Sequence, residues 1–392
     1  MQITFKSYFS ISLSVFFLLW ILMDFFLGNK ILNSFTKQDS VMKQLDQGWY
    51  ELKSNYSGNE VFGNLIFREI TDAKGFRVGE KYPQKRKAVF LGDSFMHGVG
   101  VNYAETIPGQ FETLSGISSL NGGVPSYSPT AYLYNYQKAE NANSLSREHL
   151  VIIGIDLSDI QDEAVIWRDG SHHPVKITNK KSGSEYATQI IDTETVVSIR
   201  ATYLSYLSRK LPLSYRIYVI LQQRIISPKA AEQTGRAQVD SNVPSNQVLN
   251  LTRSASTWVN WAYLNEPKLN AYYPLGVEGG LSRIESKLEE LTRLAQSRGG
   301  QVFIFTYPWP AQIFYNSKEK FAFNKWVEGM CLRVKCDGYI PVYEEFLREA
   351  LGKSNWYSSF YIIGDVHFNP NGNRLVSEIL YEEIGSFIST GR

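Results

Sequence analysis

Long apolar runs alternate with amphipathic stretches in two parts of this chain, and this alternation predicts a parallel sheet covered by helices. Three runs, at 87–92, 149–155 and 301–306, have the length and residue types of buried strands. One amphipathic helix is marked by apolar residues at helical spacing: Leu281, Ile284, Leu288, Leu291 and Leu294. Strands and helices that alternate in this way predict an α/β fold, a three-layer α/β/α sandwich with a mostly parallel sheet.

The alternation is lost in the middle of the chain, which predicts a large insertion. Residues 165–280 show no regular sequence of strands and helices, and 228–250 is polar and rich in Ser, Gln and Asn. We therefore interpret 84–164 and 281–392 as one α/β domain, interrupted at 165–280 by a lid or subdomain.

The N-terminal segment is almost entirely apolar between Tyr8 and Leu27. About 20 such residues span a bilayer as a helix, so we expect 1–30 to be a membrane anchor and 31–83 a juxtamembrane stalk and lead-in. A cleaved signal peptide is the alternative, although no Ala-x-Ala-like cleavage site is present. Both interpretations place the remaining chain outside the cytoplasm, in the periplasm where a second membrane exists.

Composition excludes several other classes of protein. The 392 residues are 43% hydrophobic and 14% aromatic, enough for a sizeable core, and the net charge of +2 offers no electrostatic basis for binding nucleic acid. Cys331 and Cys336 allow one disulfide or two thiols. Gly98 and Gly100 begin a dinucleotide-binding pattern, but Tyr103 stands where its last glycine would be. We predict no cofactor and no metal.

A serine at the end of the first core strand is the strongest candidate for chemistry. Ser94 follows the apolar run directly, within Gly-Asp-Ser at 92–94, although Asp and Ser in such a place also serve as helix caps. Near the other end of the chain, His367 could accept the serine proton and Asp365 could orient the imidazole. His97 is a weaker candidate base, because its closeness in sequence to Ser94 makes alignment awkward.

Three short motifs, in this order, resemble those of the SGNH/GDSL hydrolase superfamily. They are Gly92-Asp93-Ser94-Phe95, Asn121-Gly122-Gly123-Val124-Pro125 and Asp365-Val366-His367. The resemblance covers roughly 70–164 and 281–392 and implies a flavodoxin-like fold with Ser94, His367 and Asp365 as the catalytic triad. It also implies an oxyanion hole that includes the backbone N–H groups of Ser94 and Gly123.

One further family motif departs from its usual form. The superfamily offers an Asn there as an oxyanion donor, whereas this chain has Leu-Ser-Asp at 157–159. We expect the hydroxyl of Ser158 to replace that donor. A register shifted by two residues would place Asp156 there instead, and an ionised carboxylate has the wrong sign for this role.

The resemblance and the apolar N-terminus together predict a membrane-anchored serine esterase or O-acyltransferase. Its substrate would be an acylated glycan of the cell envelope or an exported polysaccharide, and polysaccharide-assembly proteins are expected partners. Tyr307 and Trp309 would line the substrate pocket, unless they form a packed aromatic corner. The alternatives are an esterase for lipids or small esters, and a non-catalytic glycan-binding or assembly subunit with the same fold.

Overall fold

The computed structural model describes residues 5–35, 41–45, 48–62, 65–170, 175–176, 211, 214, 244, 275–314 and 323–390. The chain divides into two compact units, one of 1–39 with 180–240 and the other of 40–179 with 241–392. The larger unit contains the predicted α/β domain. Most of the predicted insertion at 165–280, including its polar stretch at 228–250, lies outside the described residues.

A five-stranded parallel sheet forms the centre of the larger unit. The described strands of this unit, including those outside the sheet, are β1 (Met42–Gln44), β2 (Tyr50–Leu52), β3 (Ser57–Phe62), β4 (Leu65–Ile70), β5 (Arg86–Leu91), β6 (Ser119–Asn121), β7 (Leu145–Ile155), β8 (Trp167–Arg168), β9 (Val175–Lys176), β10 (Gly300–Thr306) and β11 (Gly338–Ile340). The sheet has the order β11-β10-β7-β5-β6, and all its neighbours are parallel. Numbered within the sheet, this order is 2-1-3-4-5, the flavodoxin-like arrangement. The pairs β1–β2, β3–β4 and β8–β9 are antiparallel.

Helices connect the strands of the sheet and cover it. The smaller unit contains α1 (Phe5–Phe35). The helices of the larger unit are α2 (Ser94–His97), α3 (Ile107–Ser115), α4 (Pro129–Asn141), α5 (Ser158–Gln161), α6 (Gly276–Ser297), α7 (Pro310–Phe314), α8 (Phe323–Val334), α9 (Val342–Leu351), α10 (Trp356–Phe360) and α11 (Pro370–Thr390). A 3₁₀ turn at Tyr103–Glu105 and a π-helical turn at Asp162–Ile166 complete the described helical segments.

Successive strand residues point to opposite sides of the sheet, and both of these faces are buried under helices. Val151 and Ile153 of β7 pack with α4, α6 and α8 on one face. Leu150 and Ile152 pack with α3, α9 and α11 on the other. The predicted three-layer architecture is therefore present in the larger unit.

Residues 41–83 differ from the predicted stalk, because they belong to the larger unit and pack against it. Trp49 is fully buried, and its ring stacks on that of Tyr127 with 4.9 Å between centroids. Tyr50 donates a 2.7 Å hydrogen bond to the carbonyl of Pro125. The aromatic residues of this segment thus form part of the core, which a solvated stalk would not need.

The predicted membrane span at Tyr8–Leu27 lies within α1. Among the residues that the structure describes, no helix combines the length and the apolar character needed to cross a membrane. Asp24 of α1 is buried, and its Oδ2 accepts a 2.7 Å hydrogen bond from the backbone N–H of Ser214. The indole N–H of Trp20 donates to Oγ of the same serine at 3.0 Å.

The two cysteines form a disulfide at the end of α8. Cys331 and Cys336 are bonded to each other, with 5.2 Å between their Cα atoms. This separation lies within the usual range for a disulfide. Of the two states that the sequence allowed, the structure contains the oxidised one.

Candidate active site

Ser94 lies where the chain leaves β5 and begins α2. The turn is tight at Gly92, where an added Cβ would lie 2.6 Å from Cβ of Met96 and 3.2 Å from the carbonyl oxygen of Gly154. Asp93 caps the helix, since its Oδ1 accepts the backbone N–H of Phe95 at 3.0 Å. In the sheet, β5 lies between β6 and β7, so Ser94 occupies the crevice where strand order reverses, the usual ligand site of such sheets.

His367 and Asp365 meet Ser94 in the arrangement of a catalytic triad. Nε2 of His367 lies 2.9 Å from Oγ of Ser94, although 273 positions separate the two residues. Nδ1 of His367 lies 2.5 Å from Oδ1 of Asp365, which also accepts the His367 backbone N–H at 3.0 Å. An Nδ1–H donated to the carboxylate leaves Nε2 free to accept the serine proton.

Two buried or half-buried side chains hold the loop that carries Asp365 and His367. The hydroxyl of Tyr357 accepts the N–H of Gly364 at 2.9 Å and donates to the carbonyl of Asp365 at 2.9 Å. The side-chain amide of Asn369 donates to three carbonyls between 358 and 361, at 3.1 to 3.2 Å. The imidazole therefore approaches Ser94 from a fixed turn at the start of α11.

The charge of Asp365 suits its place beside the imidazole. Burial acts to raise the pKa of this carboxyl, but hydrogen bonds from the ring and backbone of His367, and the charge of the ring, lower the pKa overall. Asp365 is therefore ionised at neutral pH and can stabilise an imidazolium on His367.

Aromatic rings surround His367 on two sides. The ring of Phe95 lies 5.0 Å from the imidazole, between centroids, and the ring of Phe62 meets it edge-on at 5.4 Å. Phe62 belongs to β3, in the segment that the sequence assigned to the stalk. The local sequence carries no signal for this contact, because it depends on how the β3–β4 hairpin packs.

Three buried carboxylates lie beneath the site. Burial raises the pKa of all three carboxyl groups, and it is the main cause in each. The charge of Asp93 contributes to raising the pKa of Asp156 to about 7, and the charges of Asp156 and Asp93 contribute to raising that of Asp159. Each accepts a hydrogen bond from a ring: Asp93 from Tyr307 at 2.6 Å, Asp156 from Trp309 at 2.6 Å and Asp159 from Tyr132 at 2.9 Å. The sequence indicated the rings and the acids separately but not their pairing.

Two of the predicted oxyanion donors, Gly123 and Ser158, have hydrogen-bond partners within the protein. The N–H of Gly123 donates to Oδ1 of Asn121 at 2.9 Å. The hydroxyl of Ser158 donates to Oδ1 of Asp156 at 2.6 Å, where the Ser158 N–H also binds at 2.7 Å. In both cases the acceptor is the side chain of a residue two positions earlier in the chain. The N–H of Ser94 belongs to the first turn of α2, where backbone donors lack a partner within the helix.

The two predicted pocket residues differ in their burial. Tyr307 is buried, with 1% of its surface exposed, and packs against Phe95 with 4.7 Å between ring centroids. It therefore forms the floor of the site, the packed aromatic corner that the sequence left open. Trp309 is half-buried and keeps its indole N–H on Asp156.

His97, the other candidate base, is directed away from Ser94. Its Nε2 lies 3.2 Å from Oε1 of Glu69 and its Nδ1 lies 3.1 Å from the carbonyl oxygen of Gly123. The preference for His367 as the base is therefore consistent with the geometry. Across the described ranges, no group of three or more His, Cys, Asp or Glu side chains is placed to hold a metal ion.

A buried arginine supports the turn after α2. Arg77 is fully buried and donates to the carbonyls of His97 at 2.6 Å, Gly98 at 2.8 Å and Val101 at 2.5 Å. Burial lowers the pKa of this guanidinium, and the negative charge of Glu69 acts to raise it. Arg77 thereby fixes the loop that follows the nucleophile.

Several solved structures match most of this chain at low sequence identity and low TM-score. A GDSL-like lipase from Bacteroides thetaiotaomicron is 10% identical, with a TM-score of 0.33, and the match covers 79% of this chain and 92% of the lipase. An acetylxylan esterase from Geobacillus stearothermophilus is 10% identical, with a TM-score of 0.35 and coverage of 78% and 97%. A candidate SGNH hydrolase from Slackia heliotrinireducens is 11% identical, with a TM-score of 0.34 and coverage of 77% and 100%. No family model and no curated protein matches the sequence.

Proposed function

We propose that this protein cleaves or transfers acyl groups from esters through an acyl-serine intermediate on Ser94. The observation that carries the proposal is the geometry of three side chains. Oγ of Ser94 lies 2.9 Å from Nε2 of His367, and Nδ1 of His367 lies 2.5 Å from Asp365. A serine becomes a nucleophile when a neutral base accepts its proton and a carboxylate stabilises the charged base.

The same three residues support both halves of the reaction. Oγ of Ser94 attacks the ester carbonyl while its proton moves to Nε2 of His367. The tetrahedral oxyanion collapses, His367 returns the proton to the leaving alcohol, and the acyl group stays on Ser94. Water or an acceptor hydroxyl then attacks the acyl-serine, giving its proton to His367, and Ser94 leaves protonated. Water gives hydrolysis and a sugar hydroxyl gives O-acyl transfer.

The finer proposal is that the ester is an acylated glycan of the cell envelope, met outside the cytoplasm. The apolar segment at Tyr8–Leu27 supports this location, and so do the large apolar side chains that α1 exposes between Leu13 and Leu27. The disulfide between Cys331 and Cys336 fits an oxidising compartment. A reporter fused after Arg392 should be active only on the extracytoplasmic side. Activity of the fusion in the cytoplasm would contradict this location.

A small activated ester tests the proposed chemistry directly. The purified protein should hydrolyse p-nitrophenyl acetate and be labelled at Ser94 by a fluorophosphonate. Ser94→Ala should lose both properties, whereas Ser354→Ala, which changes an exposed serine, should keep them. Full turnover and full labelling of the Ser94→Ala variant would reject the serine mechanism. The non-catalytic glycan-binding subunit would then be the better interpretation.

A further inference from the structure

An open cleft lies beside the candidate active site, outside the triad. It has a volume of about 490 Å³ and is enclosed by the β3–β4 hairpin, the loop at 100–105 and the segment at 358–370. Small-molecule sites in proteins usually measure about 300–1,000 Å³. The cleft is therefore large enough to hold one part of a substrate.

Aliphatic side chains form the largest group in the lining of this cleft, which also includes the polar residues Asn102, Glu105, Ser358 and Asn369. Leu65 and Ile66 line it from β4, and Ile362 and Ile363 line it from the opposite segment. Ile66 and Ile363 are 72% and 66% exposed. A ligand that covered these side chains would gain free energy from burying their apolar surface. We name this feature the aliphatic cleft.

The aromatic residues of the cleft do not offer an open ring face. Phe67 and Tyr361 line the cleft but are 5% and 1% exposed. The polar lining residues are hydrogen-bonded within the protein: Asn102 to Glu105, Ser358 to the carbonyl of Asn355 and Asn369 to three backbone carbonyls. A sugar would have to compete with these hydrogen bonds, whereas a hydrocarbon chain needs only the apolar walls. The lining therefore favours an aliphatic ligand.

Contacts at Gly100 connect the aliphatic cleft to the triad. An added Cβ on Gly100 would lie 2.9 Å from Cδ1 of Ile362 and 3.3 Å from Cδ1 of Phe62. Phe62 in turn meets the His367 ring edge-on, and the N–H of Ile362 donates to the His367 carbonyl at 2.9 Å. The cleft thus lies on the side of the imidazole, only one layer of side chains away.

This position indicates which part of an ester would reach the cleft. The imidazole must hand its proton to the leaving alcohol, and in the second half-reaction it takes a proton from the incoming one. The alcohol therefore lies on the side of His367, whereas the acyl group is bound to Ser94. A chain attached to the alcohol can pass Phe62 and enter the cleft.

We propose that the aliphatic cleft binds a hydrocarbon chain on the alcohol side of the ester, so that the alcohol is an amphiphile. This inference rests on the proposed serine chemistry and narrows its substrate class. A glycan would fit as the alcohol only if it carried a lipid chain. The acyl group itself gains nothing from the cleft.

Two homologous series of esters test the proposal. In acetates of straight-chain alcohols from methanol to octanol, kcat/KM should rise by up to about fourfold per methylene, the ratio given by about 0.8 kcal/mol of burial per CH₂. In methyl esters of acids of increasing length, kcat/KM should stay nearly constant. Ile66→Asp and Ile363→Asp should each flatten the alcohol series, measured as the octyl-to-methyl ratio. Leu332→Asp, at a 78% exposed leucine of α8, should leave that ratio unchanged.

Different results would overturn the proposal and the serine chemistry. If kcat/KM does not rise along the alcohol series in the wild type, the aliphatic cleft does not bind the alcohol chain. The same conclusion follows if the two aspartate variants leave the octyl-to-methyl ratio unchanged. In either case, turnover of methyl acetate still supports the serine mechanism. A rise with acyl length that Ile66→Asp abolishes places the acyl chain in the cleft and overturns the alcohol assignment. If no ester is hydrolysed, the serine chemistry fails. Calorimetry of octanol binding to the wild type and to Ile66→Asp then tests whether the cleft binds a hydrocarbon chain. A binding heat that is larger in the wild type supports the proposal, and equal or absent heats reject it.

Discussion

The hydroxyl of Tyr307 donates a 2.6 Å hydrogen bond to Oδ1 of Asp93, joining the end of β10 to the residue that precedes the candidate nucleophile. Both side chains are buried. The same carboxyl oxygen accepts the N–H of Phe95, so the start of α2, and with it Ser94, is held by a buried carboxyl group to which the distant Tyr307 also donates.

Tyr307→Phe removes one donor from the buried carboxylate of Asp93. We expect the free energy of unfolding to fall by about 1–3 kcal/mol, the usual cost of leaving a buried polar group without its partner. Because the turn that carries Ser94 loosens, kcat on an acetyl ester should fall while KM changes little. Urea denaturation and steady-state kinetics measure the two effects, with Tyr381→Phe, an exposed tyrosine, as the control. Unchanged values of both would mean that Tyr307 only fills space.

Ser94 and His367 should lose activity as one unit. Ser94→Ala and His367→Ala should each reduce turnover of a small acetyl ester by at least about 10³-fold, and the double variant should be hardly worse than either. Asp365→Asn should be milder, because the nucleophile and base remain in contact. Turnover should also fall at acid pH, where a protonated His367 cannot accept the serine proton. Independent free-energy costs that simply add in the double variant would show that the residues are not partners.

Arg77→Met should destabilise the larger unit. The substitution leaves three buried backbone carbonyls without their donor and removes a positive charge that acts on the buried Glu69, so we expect a loss of about 3–5 kcal/mol in the free energy of unfolding. Urea denaturation measures this loss. Arg374→Met, which changes an exposed arginine, should cost less than about 1 kcal/mol. Equal losses in the two variants would show that the Arg77 hydrogen bonds contribute no more than a surface ion pair.

Asp156 should make stability depend on pH. Burial and the charge of Asp93 raise its pKa from 3.8 to about 7, so the folded chain holds a proton that the unfolded chain has already released. The free energy of unfolding contributed by this group is therefore greatest at low pH and declines as pH rises from about 4 to about 7. In Asp156→Asn this decline is absent.

Thermal melting of the wild type and Asp156→Asn across this range checks the prediction. The melting temperature of the variant minus that of the wild type should increase between about pH 5 and about pH 8. Asp337→Asn, on an aspartate remote from this cluster in the sheet order, should show no such trend. A difference that stays constant for Asp156→Asn would mean that Asp156 titrates like an ordinary surface carboxyl.

Within the α/β domain, the chain's pattern was sufficient to predict the architecture. Continuous apolar runs such as 149–155 can be satisfied only in a strand covered on both faces, so the sheet and its helices follow from composition and period. Ser94, Asp365 and His367 could also be identified, because each follows or precedes an element whose end lies at the same edge of the sheet. The local pattern of apolar and polar residues marks the ends of these strands and helices, and it thereby places the residues next to them.

The rest depended on contacts between residues distant in the chain, which no local pattern encodes. The sequence assigned Trp49 and Phe62 to a stalk and lead-in, but in the structure Trp49 packs on Tyr134 of α4 and Phe62 packs on His367. The predicted donors Gly123 and Ser158 form hydrogen bonds with Asn121 and Asp156, which the sequence did not predict. A hydrogen bond is directional and has a range of about 3 Å, so the partner that a donor takes is decided only when the tertiary structure brings the groups together.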